Sequence, residues 1–218
     1  MQGTSRKTLV LFWFLLLALI GIRIRADASV LPPLLLALVL LTGGIDIPIV
    51  HKRMRKPAYT WESVHLIEKI FSVSLEDFFD KKRFFDTTIT ANLGGFVIPL
   101  ACACYLGVTH PNLASLEICI VMIAVTHIMA TFYDGFGIKI PDYIGVVPLL
   151  LALLLAPDDA AMVTFVAGVS GVLIGLFTVL GTIDAEREGC ARISLGGAGS
   201  FHAVYVMMLL AMLIDVVQ

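Results

Sequence analysis

Long apolar runs, interrupted by short polar or glycine-rich stretches, set the pattern of this chain. They fall at 8–22, 29–50, 88–109, 113–133, 140–156, 160–182 and 200–217. A helix needs about 20 apolar residues to cross a hydrocarbon core of about 30 Å. Backbone inside lipid must bond to itself or be shielded by protein. The pattern therefore predicts an all-α integral membrane protein of about seven transmembrane helices, a single membrane domain over 1–218. The first run follows Arg6 and Lys7 but leads into Ile22-Arg23-Ile24-Arg25 and not a small-residue cleavage site, so it reads as a retained helix.

Charge sets the orientation. Arg6, Lys7, Lys52, Arg53, Arg55, Lys56, Lys69, Lys81, Lys82, Arg83, Lys139, Arg187 and Arg192 fall on one side of the seven runs, and only Arg23 and Arg25 on the other. The basic side faces the cytoplasm. The N-terminus is thus expected inside, the C-terminus outside, and the protein in the plasma membrane. The segment 51–87 is expected to be cytoplasmic and interfacial. Its basic cluster His51–Lys56 and the aromatics around Lys81-Lys82-Arg83 form an anchor to the lipid surface over 51–85. Hydrophobic residues make up 59% of the chain and charged residues 15%, with a net charge of −2, which gives no footprint for nucleic acid. The four cysteines form no C-x-x-C pair.

Three glycine motifs punctuate the runs. Gly43-Gly44-Ile45-Asp46-Ile47-Pro48 and Gly94-Gly95-Phe96-Val97-Ile98-Pro99 share the pattern G-G-x-x-I-P, at similar depth in the cytoplasmic half. Paired glycines allow close approach and proline frees a carbonyl, as in broken transporter helices. The third motif, Gly196-Gly197-Ala198-Gly199-Ser200, opens the last run; Gly197 and Gly199 there could offer amides to an anion, though the Walker lysine is absent.

Ionisable side chains in apolar runs are functional suspects. Asp46, His127, Asp134 and His202, with Asn92 as a neutral member, gather by topology in the cytoplasmic half as a candidate substrate or ion site. His127 and Asp134 stand seven residues apart, on one face if the helix continues. His127 and His202, with the aspartates, are candidate ligands of a divalent metal, or a proton relay. Tyr133-Asp134 resembles half of the presenilin-type aspartyl protease pattern, but no Gly-x-Gly-Asp string completes it. Gly168-Val169-Ser170-Gly171 reads as small-residue helix packing.

Asn92-Leu93-Gly94-Gly95-Phe96-Val97-Ile98-Pro99, Val125-Thr126-His127 and Ile193–Phe201, in this order, resemble the DUF1614 family of uncharacterised archaeal and bacterial membrane proteins, from about residue 30 to the end. The resemblance implies a membrane fold and no particular activity. Two positions depart from the family pattern: His202 and Phe177 stand where it has aspartates. Three functions stay open at this point: transport of an ion or small solute, a membrane-embedded hydrolase (metal-dependent or aspartyl), and a non-catalytic scaffold, homo-oligomer or subunit of a membrane complex.

Overall fold

The computed structural model describes residues 6–25, 31–55, 84–133, 137–184 and 189–217. Most of the expected anchor over 51–85, and Asp134, lie outside the described residues. Seven α-helices are found among them: α1 (Arg6–Arg25), α2 (Leu31–Thr42), α3 (Ile98–Thr109), α4 (Leu113–Met129), α5 (Val146–Leu155), α6 (Ala160–Thr182) and α7 (Phe201–Val217). Each falls within one of the seven apolar runs, apart from the first, where α1 extends beyond it. Among the described residues, only Pro157–Thr182 is long and apolar enough to cross a bilayer unaided; the other six are shorter apolar helices.

The all-α expectation is corrected. Strands β1 (Asp46–Arg55), β2 (Phe84–Asn92) and β5 (Arg192–Leu195) form a sheet in the order β1-β2-β5, and β3 (Thr131–Tyr133) pairs with β4 (Gly137–Lys139). The cause is local. Gly43-Gly44 stops α2, and Ile47, Ile49 and Val50 beyond it favour extended backbone, as do Thr87, Thr88, Ile89 and Thr90. The runs 29–50 and 88–109 are therefore each part helix and part strand. A π-helical turn, Leu93–Val97, joins β2 to α3; Asn92 caps it by accepting from the Gly95 amide, and Pro99 lies in the first turn of α3, where its missing amide costs no bond.

Helix α6 is the axis of the core, with Ala160, Ala161, Val163–Val169 and Val172 all buried. Helix α4 runs parallel along it. Asn112 and Asp159 bond at one end (3.1 Å), Cys119 and Ser170 meet midway (3.5 Å), and His127 and Thr178 bond at the other (3.1 Å). Gly171 and Gly175 give the room: an added β-carbon would strike Met122 at the first and lie 2.6 Å from Thr126 Cβ at the second. This is the small-residue packing expected around Ser170. Helix α7 covers another side of α6, with Met207 packed near Gly145 and Gly168. All five strands gather at one end of the helices. There Gly137 approaches Arg192 and Ile193, and the Ile140 amide donates to Gly199 O (2.9 Å).

Candidate functional site

Register places seven polar side chains of the sheet on one face. Asp46 pairs with Asn92, His51 with Thr88, Thr88 with Arg192 and Thr90 with Ser194. Side chains two apart on a strand point the same way, so these seven residues share a face. A bulge between Pro48 and Val50 keeps His51 on it despite its odd spacing from Asp46.

Asp46 is the hub of this face. Its Oδ1 accepts from Ser194 Oγ (2.7 Å) and Asn92 Nδ2 (3.0 Å), and its Oδ2 pairs with Arg192 Nη2 (3.1 Å). Asn92 Nδ2 also donates to Gly43 O (2.8 Å), while its Oδ1 accepts from the Gly95 amide (2.7 Å). One carboxylate and one carboxamide thus tie together the end of α2, all three strands and the π-turn. The side chains of Asp46 and Arg192 are 14% and 26% exposed, so the pair is shielded from much of the screening that weakens surface salt bridges. On the same face, Thr90 Oγ1 and Arg192 Nε are buried without a partner among the described residues.

The three glycine motifs converge beside the hub. A β-carbon on Gly94 would meet Val39 O and lie 2.7 Å from Gly43 N; one on Gly95 would strike Gly196 O; one on Gly197 would strike Ser194 Oγ and lie 3.3 Å from Asp46 Oδ1. Gly196 and Gly199 hold φ of 71° and 96°, where a side chain is strained. The glycines let three chain segments cross backbone to backbone. Gly197 and Gly199 are positions of close packing, Gly197 against Ser194 and Asp46 and Gly199 against Ile138.

Sequence reasoning brought Asp46, Asn92 and Gly197 into one site, and the structure joins them. It missed Arg192 and Ser194. The alternation Arg192-Ile193-Ser194-Leu195 was the available signal, a short half-buried strand.

The histidines have neighbours of their own. His127 bonds to Thr178 Oγ1. That hydroxyl already donates to Gly175 O (2.7 Å), so it accepts from Nδ1–H of the imidazole. His202 packs against Phe12, with ring centroids 5.7 Å apart, and its Nε2 is buried without a partner. Among the described residues, Asp46, His127 and His202 share no hydrogen-bond partner, and no group of three or more His, Cys, Asp or Glu is placed to hold a metal. The helix that carries His127 stops short of Asp134, which lies outside the described residues. Helix α4 ends at Met129, Ala130 is extended, and Thr131–Tyr133 is strand.

The profile of the DUF1614 family, described as a protein of unknown function, matches residues 40–214. The chain belongs to the DUF1614 family. The matched stretch takes in the three glycine motifs and the Asp46 hub but leaves out α1 and most of α2. No curated protein and no solved structure matches the chain. Positions 177 and 202 have aromatic surroundings. Phe177 makes an edge contact with Phe96 at 5.3 Å, and His202 sits between Phe12 and Phe201.

Proposed function

We propose that this DUF1614 member is a polytopic membrane protein that binds and holds other membrane components, as a scaffold or subunit of a membrane assembly. The observation that carries the reading is the outward face of the helices. Phe14, Leu41, Val108, Ile128, Leu154, Phe177 and Val217, one on each of the seven, are all exposed, Val108 by 81% and Leu154 by 76%. A monomer in water rarely exposes apolar surface on every side, whereas a bilayer demands it. The short helices fit this reading because the strands extend them. Twelve residues of α2 rise about 18 Å, and the glycine turn and β1 continue the path. The strand end carries Lys52, Arg53, Lys139 and Arg192, a basic bias that supports a cytoplasmic side for it.

Within that frame the polar groups support holding over cleaving. Asp46 is fully engaged by Asn92, Ser194 and Arg192, and His127 by Thr178. A hydrolase needs two such groups within reach of each other and of a substrate. The test is reconstitution in lipid nanodiscs followed by mass measurement and thermal melting. The reading expects Asp46→Asn to lower the melting temperature while the protein stays embedded in the bilayer. An Asp46→Asn protein as stable as wild type would contradict a holding role for the hub.

One observation favours a second reading, transport of a small anionic solute. Thr90 Oγ1 and Arg192 Nε are buried donors left without acceptors on the hub's own face. Uptake of radiolabelled small carboxylates into vesicles, lost in Arg192→Gln, supports it; no uptake above empty vesicles sinks it.

A further inference from the structure

The seam between the parallel helices α4 and α6 is polar from end to end. At the end away from the strands, Asn112 Nδ2 donates to Oδ2 of the exposed Asp159. Midway, Ser170 Oγ donates to Val166 O, so it accepts from the Cys119 thiol. At the strand end, Nδ1 of the exposed His127 donates to Thr178, which leaves Nε2 free to take up a proton. Two more rungs lie between these. The register that sets Met122 against Gly171 and Thr126 against Gly175 also sets Ser115 against Thr164, two turns earlier on each helix.

Ser115, Thr126 and Thr164 are buried, and none of their hydroxyls has a partner among the described residues. Hydroxyls that served only to hold two helices together would bond across the seam or back to their own helix, as Ser170 does. A buried hydroxyl left unbonded is costly, and water is the partner that a polar seam can draw in. From Asp159 to Thr178, α6 rises about 28 Å, close to the hydrocarbon thickness of about 30 Å. Successive rungs are about 5–9 Å apart along the axis, a gap that one or two waters bridge at hydrogen-bond spacing.

The glycines decide what can pass. A β-carbon on Gly171 would strike Met122, so the seam has no width for a hydrated ion or a solute. A proton needs none, because it moves by exchange along hydrogen bonds. Each hydroxyl or water accepts one proton and releases another, and nothing else is consumed. Resting on the bilayer reading above but not on the scaffold role, we propose that the α4–α6 seam conducts protons across the membrane, between Asp159 at the outer mouth and His127 at the cytoplasmic one.

The full chain is reconstituted in phosphatidylcholine vesicles that enclose a pH-sensitive dye, and a potassium gradient with valinomycin drives protons inward. Wild type acidifies the interior faster than protein-free vesicles do. Thr164→Val and Thr126→Val keep the side-chain shape without the hydroxyl. Each slows the flux about tenfold, the rate equivalent of one lost hydrogen bond, with unchanged circular dichroism. Thr164→Ser restores the hydroxyl and the flux. Wild-type flux in both valine variants overturns the proposal, as does passage of sodium along with protons. If wild type floats with the vesicles and adds no flux, the proton path fails alone. If it does not float with them, the bilayer reading fails with it.

Discussion

Gly95 has no space for a side chain, because a β-carbon there would sit on the carbonyl oxygen of Gly196. Backbone cannot move aside as a flexible side chain does, so Gly95→Ala should cost about 3 kcal/mol, at the upper end of overpacking effects. The check is thermal melting of the purified variant; a melting temperature equal to wild type would refute the crossing. Asp46→Ala removes the acceptor for three donors and leaves Arg192 half-buried and unpaired. A loss of about 2 kcal/mol is expected, below the 3–5 of a fully buried pair because water reaches Arg192. In a double-mutant cycle with Asn92→Ala the two losses should fall well short of adding, since they break one network. Asp46 and Asn92 were legible in the sequence because polar groups stand out in apolar runs. Their union with Arg192 and Ser194 was not, because it depends on strand pairing across more than a hundred residues. The local partners of the two histidines, Thr178 for His127 and Phe12 for His202, were not legible for a related reason: each depends on the packing of helices far apart in the chain.

At the level of elements, the helices were easier to read than the strands. An apolar run of suitable length signals a buried segment but not its backbone geometry. The β-branched runs Ile47–Val50 and Thr87–Thr90 carried the missing information, and the glycine pairs marked where helix gives way to strand. Each G-G-x-x-I-P motif marks a change of backbone geometry, helix to strand in the first and strand to helix in the second, and the two changes touch each other at Gly43 and Gly94. The parallel α4–α6 pair rests on Gly171 and Gly175 in the same way. Gly175→Leu would drive a side chain into Thr126 and should cost about 2 kcal/mol, read as a lower melting temperature. Gly181→Ala, with nothing within 4 Å of its β-carbon, should leave stability unchanged or slightly raised.

For the whole molecule, seven helices of alternating direction separate two ends of unlike chemistry. One end holds the strands, the glycine crossings, the Asp46 hub and most of the basic residues; the other holds the apolar groove with Asp215, together with Arg23 and Arg25. The DUF1614 match covers the hub and most of the groove, so both belong to the part shared with the family. The central claim is that this polarity is laid across a bilayer, with an odd number of crossings. The most direct measurement is the location of reporters fused to the two termini in intact cells, together with resistance of the protein to alkaline extraction from membranes. The account predicts an N-terminal reporter in the cytoplasm, a C-terminal reporter outside, and full retention in the membrane pellet. Both reporters on one side, or release by alkali, would contradict it.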